Sequence, residues 1–271
     1  MTVADGSRGY ERLTHLDIYR KLNIRLLELV NLRDGERVLD VGAGTGATMR
    51  LAREFADLAE CWGLEPDEEM IEIARSVCGP TDTIVESRAE GIEEFFEPES
   101  IDVAIVANCV HLFDDAQPAF RGLNAVLVRG GRVGLSTSYF GAVPGPVEAA
   151  IYTRFLLDVR KLANHRVGRA AQAKRDRSRA TRRELSMESY KSLLVDTGFR
   201  IAHVEETVVQ LPTDFLLDLV GTPMFAEGVL PGLDPAIAGE IVRDVLSATI
   251  DRYPTGETLT RPWLYITAAK I

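Results

Sequence analysis

The sequence contains few cysteines, and they form no familiar pattern. Cys61, Cys78 and Cys109 are the only three in 271 residues, and no C-x-x-C pair occurs. An odd, widely spaced set of this kind indicates neither a disulfide framework nor a zinc site. We therefore predict no metal site and interpret the three cysteines as small buried apolar residues.

Long apolar runs and an excess of positive charge are also missing. No run approaches the roughly 18 apolar residues of a membrane span, and the first residues lack the apolar core of a signal peptide. The net charge is −10 and the pI is about 5.0. This charge argues against nucleic acids and anionic membranes as partners, because both require a basic face. We expect a cytoplasmic protein.

What the sequence does contain is an ordered alternation of strand-like and helix-like stretches. Its 46% hydrophobic content is enough to bury one substantial core with additions. The run SIDVAIVAN at 100–108 is almost continuously apolar, which is typical of a strand covered on both faces in a parallel sheet. The pattern predicts an α/β fold.

Residues 37–47, RVLDVGAGTGA, are interpreted as a strand, a glycine-rich turn and the start of a helix. Gly42, Gly44 and Gly46 can take up positive φ and let a ligand lie directly on the backbone. The helix start presents N–H groups to an anionic or polar cofactor. The same letters also satisfy G-x-G-x-x-G/A, the dinucleotide fingerprint, so the glycines alone leave two cofactors open.

Asp40 precedes the turn and extends the pattern to D-x-G-x-G-x-G, which resembles motif I of the class I S-adenosylmethionine (SAM)-dependent methyltransferases. In that family the loop wraps the methionine part of the cofactor, and the acidic residue holds its amino group. Three later stretches resemble further motifs in order: GLEPDEEMIEIAR, SRAE and NCVHLFDD. The resemblance covers Arg37 to about Ser138. It implies SAM as cofactor and a three-layer Rossmann-like fold, with a seven-stranded sheet whose strand 7 is antiparallel and an inserted helical lid.

The resemblance also implies a set of cofactor-binding residues. Glu65 ends the second predicted strand, 21 residues after Gly44, where a carboxylate can accept both ribose hydroxyls. Arg88 stands where the family usually has Asp, so Glu90 or the backbone alone must recognise the adenine amino group. Met70 is expected to pack on adenine. The full expected set is Asp40, Gly42, Ala43, Gly44, Gly46, Glu65, Pro66, Met70, Ala89, Glu90 and Asn108.

Methyl transfer from a sulfonium is an in-line displacement, so the protein mainly positions the reactants and excludes water. A general base is needed where the acceptor is a hydroxyl, a protonated amine or an acidic carbon. His111, after the fourth predicted strand, is the first candidate. Tyr139, after the fifth, is the second. Packing is the alternative role for His111. In the first predicted helix, His15 and Tyr19 are either site residues or ordinary packing residues.

Beyond the motifs, the chain divides into further segments. We expect residues 1–138 to hold an N-terminal helix and the SAM-binding core, 139–186 a helical and basic insertion, and 187–271 the end of the sheet with a helical insertion at 211–262. Arg160 to Arg183 contains ten Lys or Arg residues and one acid, a net charge of +9. This segment is either a solvated face or a lid or docking arm for an acidic partner or anionic substrate, such as an acyl-carrier protein or a CoA ester.

The sequence therefore predicts a SAM-dependent methyltransferase that acts on O, N or C of a small-molecule acceptor, free or linked to a carrier or CoA. A SAM-binding protein with a non-methylating role is the first alternative. An NAD-dependent oxidoreductase is the second, and the absence of a Tyr-x-x-x-Lys pair disfavours it. The acidic pI and the absence of an Asn-Pro-Pro-Tyr motif disfavour nucleic-acid bases as acceptors.

Overall fold

The computed structural model describes residues 17–142, 145–172, 185–220, 226, 229–230, 232–253 and 258–271. The helices are α1 (Asp17–Val30), α2 (Ala47–Phe55), α3 (Glu68–Val77), α4 (Ala116–Val126), α5 (Pro146–Gln172), α6 (Met187–Asp196), α7 (Thr213–Val220) and α8 (Pro235–Arg252). The strands are β1 (Arg37–Val41), β2 (Glu60–Glu65), β3 (Asp82–Glu86), β4 (Ile101–Ala107), β5 (Leu127–Thr137), β6 (Phe199–Pro212) and β7 (Thr258–Lys270). Short 3-10 turns cover Ala89–Glu94 and Val110–Leu112.

The seven strands form one sheet in the order β3-β2-β1-β4-β5-β7-β6. β1 pairs in parallel with β2 and β4, and β4 pairs in parallel with β5. β7 is antiparallel to β5, with Ser136 opposite Tyr265. The predicted fold, a mainly parallel seven-stranded sheet with strand 7 antiparallel, is confirmed. The chain order reverses between β1 and β4, and in open α/β sheets ligands bind at such a switch point, beyond the carboxyl ends of the strands.

Helix α1 covers one face of the sheet because its apolar residues lie on a single stripe. Leu22, Leu26 and Val30 recur at spacings of four and are buried. The helix approaches β5 at Gly134, where an added Cβ would lie 3.1 Å from Val30 and 3.2 Å from Leu26. The missing side chain therefore allows close packing beside the parallel strands.

The chain groups into two compact units. The core unit comprises Thr14–Ala142, Glu184–Thr207 and Trp263–Ile271, and the helical unit comprises Met1–Leu13, Val143–Arg183 and Val208–Pro262. Within the helical unit, residues of α5 and α8 share one apolar cluster, including Phe155, Val159, Ala163, Ile241, Val242 and Val245. The interpretation of the inserted helices as a lid stays a prediction.

Helix α5 extends into the basic segment Arg160–Arg183, because it continues to Gln172. Ala163 is fully buried, and the residues that follow are mostly good helix formers, so the helix persists where the apolar stripe thins. The predicted arm within the basic segment is thus helical at its start, and its remainder at 173–184 lies outside the described residues. No helix in the described part of the chain is long and apolar enough to cross a membrane.

Candidate active site

The glycine-rich turn after β1 adopts a backbone that side chains would resist. Gly42, Gly44 and Gly46 have φ of 73°, 54° and 77°, all in the left-handed region that L-residues with a Cβ rarely occupy. Helix α2 begins directly after Gly46. The turn therefore presents bare backbone at the N-terminus of a helix, an arrangement suited to a polar ligand.

Two cysteines pack against this turn from elsewhere in the chain. A Cβ on Gly42 would lie 2.8 Å from Cys109 Sγ, and a Cβ on Gly46 would lie 2.5 Å from Cys78 Sγ. The Cys109 thiol donates a hydrogen bond to the Val41 carbonyl oxygen at 2.9 Å. Burial raises the pKa of this thiol well above its usual value, so it keeps the proton that it donates. The cysteines fix the path of the turn.

Asp40 is a deeply buried acidic residue near the carboxyl end of β1. Its exposed fraction is 1%, and neither of its oxygens has a hydrogen-bond partner among the described residues. Burial, followed by repulsion from Glu65, raises the pKa of Asp40 to about 7. A buried carboxylate without a partner is costly. A cationic ligand group such as an ammonium would remove that cost, so the site fits such a group.

Glu65, at the carboxyl end of β2, holds the glycine-rich turn in place. One carboxylate oxygen accepts a hydrogen bond from Gly44 N at 2.9 Å, and the other accepts from Asp67 N at 3.1 Å. Burial raises the pKa of Glu65, and these two N–H groups oppose that rise. Asp67 in turn caps α3 by accepting from Met70 N at 3.0 Å. A carboxylate has further lone pairs for ligand hydroxyls, so the ribose role of Glu65 stays a prediction.

The loops after β3 and β4 are joined by two polar contacts. Glu90 accepts a hydrogen bond from Asp115 N at 3.0 Å. Arg88 Nη1 lies 2.8 Å from Asp114 Oδ2, in an exposed ion pair. The carboxylate expected to recognise adenine is thus engaged with the start of α4, and its cofactor role stays a prediction. Ala89 and Met70 are buried, as cofactor-facing or packing residues alike would be.

Asn108 joins the ends of β4 and β5. Its φ is 52°, a left-handed conformation that Asn tolerates better than most residues. Its Oδ1 accepts a hydrogen bond from Ser138 N at 3.0 Å, and its N–H donates to Ser136 O at 2.8 Å. The two strand ends therefore form one connected corner of the sheet.

The two predicted catalytic residues lie against each other at this corner. The ring centroids of His111 and Tyr139 are 3.9 Å apart, with an interplanar angle of 35°. His111 is in the 3-10 turn Val110–Leu112 and is 8% exposed. The Tyr139 N–H donates to Thr137 Oγ1 at 3.0 Å, and its carbonyl accepts from the Tyr190 hydroxyl at 3.0 Å. The arrangement offers an ionisable ring beside a flat aromatic surface.

Two contacts of this corner have no signal in the sequence. Nothing in the sequence pairs Cys109 with Val41, 68 residues away, or Tyr190 with Tyr139, 51 residues away. The rings of Tyr19 and Trp263 form a T-shaped pair, at a centroid distance of 6.1 Å and an angle of 84°. His15 lies outside the described residues. Within the described part of the chain, no group of three His, Cys, Asp or Glu residues is placed to hold a metal ion.

Comparison with known proteins gives matches over the same region. Residues 39–135 match the family model described as a methyltransferase domain. The chain is 25% identical over 186 residues to the ubiquinone/menaquinone biosynthesis C-methyltransferase UbiE of Ectopseudomonas mendocina, covering 64% of this chain and 68% of that one. It is 31% identical over 148 residues to the nocamycin O-methyltransferase of Saccharothrix syringae, covering 53% and 51%. The match to the nocamycin enzyme thus spans about half of that protein.

A solved structure shares the fold. The YcgJ protein of Bacillus subtilis superposes with a TM-score of 0.60 at 20% identity, covering 93% of this chain and 98% of that one. The residues of the site also fit SAM. Its ammonium group would match the Asp40 carboxylate, which has no hydrogen-bond partner in the described part of the chain, and its methionine moiety would lie on the bare glycine backbone. The matched domain, the named relatives and the sheet order agree. Residues 39–135 of this chain therefore match a methyltransferase domain, and the sheet that contains them has the fold of the class I SAM-dependent methyltransferases.

Proposed function

We propose that this enzyme methylates a small, planar acceptor whose attacking atom is activated by loss of a proton, such as a phenol or an enol. The observation that supports the proposal is the ring contact between His111 and Tyr139, at 3.9 Å between centroids. A histidine is able to accept a proton near neutral pH. The Tyr139 ring provides a flat face for a planar acceptor.

Each residue then has a defined task. When bound, SAM supplies a methyl group activated by its sulfonium sulfur. Asp40 would hold the ammonium group of the cofactor, and the glycine-rich turn would support its methionine moiety. An imidazole nitrogen of His111 takes the proton from the acceptor hydroxyl, which raises the electron density on oxygen and on the ring carbons beside it. Tyr139 orients the acceptor and excludes water.

The relatives are consistent with either attacking atom. One is named a C-methyltransferase and another an O-methyltransferase. Removal of a hydroxyl proton activates oxygen directly and the neighbouring carbon through the ring or enolate. The same histidine therefore serves both outcomes, and the acceptor's position beside the cofactor selects between them.

The experiment is transfer of labelled methyl from SAM to 1-naphthol, with 1-methoxynaphthalene as the matched acceptor that lacks the acidic proton. We expect label in 1-naphthol only. His111→Gln should lower kcat by about 10²–10⁴-fold, the usual contribution of a general base, with the Kd of SAM unchanged in calorimetry. Absence of label in 1-naphthol despite normal SAM binding contradicts the proposal and favours the non-methylating alternative. A His111→Gln variant with a normal kcat contradicts the assignment of His111 as the general base.

The proposal extends to an anionic or carrier-linked acceptor. The basic segment Arg160–Arg183 has a net charge of +9 within a chain of −10, and such a contrast steers anions by long-range attraction. The test compares the CoA and N-acetylcysteamine thioesters of 1-hydroxy-2-naphthoate. Replacing Arg175, Arg177 and Arg179 by Ala should raise KM for the CoA ester alone. The control replaces three exposed arginines of the core unit, Arg121, Arg129 and Arg200, and an equal rise in KM there contradicts a docking role.

A further inference from the structure

We infer that Tyr190 is a positioning residue of this enzyme: its hydroxyl holds the Tyr139 backbone so that the Tyr139 ring stays against His111. The inference rests on the proposed function in one respect, since the ring pair matters for catalysis only if His111 acts on the acceptor. The positioning itself is a property of the fold and can be tested without any acceptor.

The first step is the position of Tyr190 in the core. Ser186 caps helix α6 by accepting from Ser189 N at 3.1 Å, and Tyr190 lies in the first turns of this helix. Its side chain is 1% exposed and packs in the same apolar cluster as Phe140, Leu194 and Phe199. A ring packed on all sides has little freedom, so its hydroxyl is a fixed hydrogen-bond donor.

The second step is the bond that this hydroxyl makes. Tyr190 Oη donates to the Tyr139 carbonyl oxygen at 3.0 Å, across 51 residues of sequence. The Tyr139 N–H donates to Thr137 Oγ1 at 3.0 Å. The backbone of Tyr139 is therefore held on both sides, once by its own strand and once by α6. Loops are in general more mobile than the elements that they connect, so these two bonds restrict a segment that would otherwise move.

The third step connects this backbone to the reacting corner. Ser138 N donates to Asn108 Oδ1 at 3.0 Å, so the preceding residue is fixed to the end of β4. The Tyr139 ring then meets His111 at 3.9 Å. Loss of the Tyr190 hydrogen bond would release the Tyr139 carbonyl, and we expect the Tyr139 ring to move away from the imidazole as a result.

The chain provides a matched control. Tyr265 is also 1% exposed, and its hydroxyl donates to a backbone carbonyl, Leu22 O, at 3.2 Å. Its acceptor lies in α1 rather than in the Tyr139 loop. Tyr190→Phe and Tyr265→Phe thus remove the same kind of bond at the same burial. A purely structural role for Tyr190 predicts that the two variants behave alike.

The first readout is NMR of the full chain labelled with ¹³C-histidine. The chain has four histidines, so four signals are expected. His111→Gln assigns the His111 signal, and Tyr139→Leu shows where this signal lies without the ring current of Tyr139. We expect Tyr190→Phe to move the His111 signal most of the way toward its Tyr139→Leu position. Tyr265→Phe should leave it unchanged. Thr137→Val should move it in the same direction, and Thr137→Ser, which keeps the hydroxyl, should not.

A His111 signal that stays at its wild-type position in Tyr190→Phe overturns the inference, as does an equal shift in Tyr265→Phe. The second readout is methylation of 1-naphthol. Tyr190→Phe should lower kcat on the order of tenfold, since a misplacement of about 1 Å can cost up to 10²-fold, with the Kd of SAM unchanged. If the signal moves and kcat does not, Tyr190 positions the ring as inferred and it is the role of His111 as the base that fails.

Discussion

Cys109 occupies the space that a side chain on Gly42 would need. An added Cβ at Gly42 would lie 2.8 Å from both the Cβ and the Sγ of Cys109. The thiol itself donates a hydrogen bond to Val41 O at 2.9 Å. The glycine is thus required for two separate reasons, its left-handed φ of 73° and the neighbour on its open side. These two reasons can be separated by mutation.

Gly42→Ala should destabilise the protein more than Gly35→Ala. Both residues have left-handed φ, but nothing lies within 4 Å of an added Cβ at Gly35. Gly35→Ala therefore carries only the conformational cost, roughly 1–2 kcal/mol. Gly42→Ala adds overpacking of roughly 1–3 kcal/mol. Urea denaturation measures the difference.

Removal of the thiol tests the origin of that extra loss. Cys109→Ala combined with Gly42→Ala should recover part of it, because Sγ is gone while the Cβ of residue 109 remains 2.8 Å away. A double variant that shows simple additivity would mean that the two residues do not compete for this space.

The affinity for SAM should depend on pH through Asp40. The pKa of Asp40 is raised to about 7 in the cofactor-free enzyme by burial and by the Glu65 charge. If the ammonium group of the cofactor binds the carboxylate form of Asp40, as proposed, affinity should rise with pH up to about 7 and level off above it. Below that pH, each unit should cost up to about tenfold in Kd, equivalent to about 1.4 kcal/mol. Calorimetry with SAM between pH 5.5 and 8, in roughly half-unit steps, follows this change.

Asp40→Asn is the matched control for this pH dependence. The amide keeps the shape of the side chain but carries no charge, so affinity should be weaker at every pH and nearly flat below 7. Glu65 titrates beside Asp40, and its pKa is also raised by burial. A pH dependence of SAM affinity that remains in Asp40→Asn is attributed to the titration of Glu65. A slope equal to that of the wild type contradicts the assignment to Asp40.

The sequence predicted the sheet because its signals are local. The apolar run of β4 and the glycine turn after β1 each occupy a few consecutive residues, and the strand order follows from the family that they resemble. The contacts that complete the site are not local. Nothing near Tyr190 indicates that its hydroxyl meets Tyr139, and nothing near Cys109 indicates the Val41 carbonyl. The partner of Glu90, the backbone of Asp115, is likewise set by tertiary packing.

Glu65 is predicted to bind the ribose of the cofactor. In the structure its carboxylate also accepts a hydrogen bond from Gly44 N in the glycine-rich turn. Glu65→Ala should weaken SAM binding by roughly 1–3 kcal/mol, the range for lost charge-assisted hydrogen bonds. Exposed Glu68, three residues further along, is the control, and its replacement by Ala should leave Kd unchanged.

The ribose role is separated from loop support by a second ligand. The product S-adenosylhomocysteine and its 2′-deoxy analogue are titrated into wild type and Glu65→Ala. If Glu65 binds the hydroxyl, the wild type should discriminate between the two ligands and the variant should not. Equal discrimination by both proteins would mean that Glu65 only supports the turn, by accepting hydrogen bonds from Gly44 N and Asp67 N.

Asn108 should show which part of its chemistry the corner requires. Its φ of 52° favours Asn or Gly, and its Oδ1 holds Ser138 N. Asn108→Asp keeps both properties, and we expect stability close to that of the wild type. Asn108→Gly keeps only the backbone freedom and should lose roughly 0.5–1.5 kcal/mol with the hydrogen bond. Asn108→Ala keeps neither and should lose roughly 1–2 kcal/mol more. Urea denaturation gives the order, and equal losses in the Gly and Ala variants would contradict a left-handed Asn108. Because Ser138 precedes Tyr139, the variants that release it should also slow methyl transfer to 1-naphthol while SAM binding is retained.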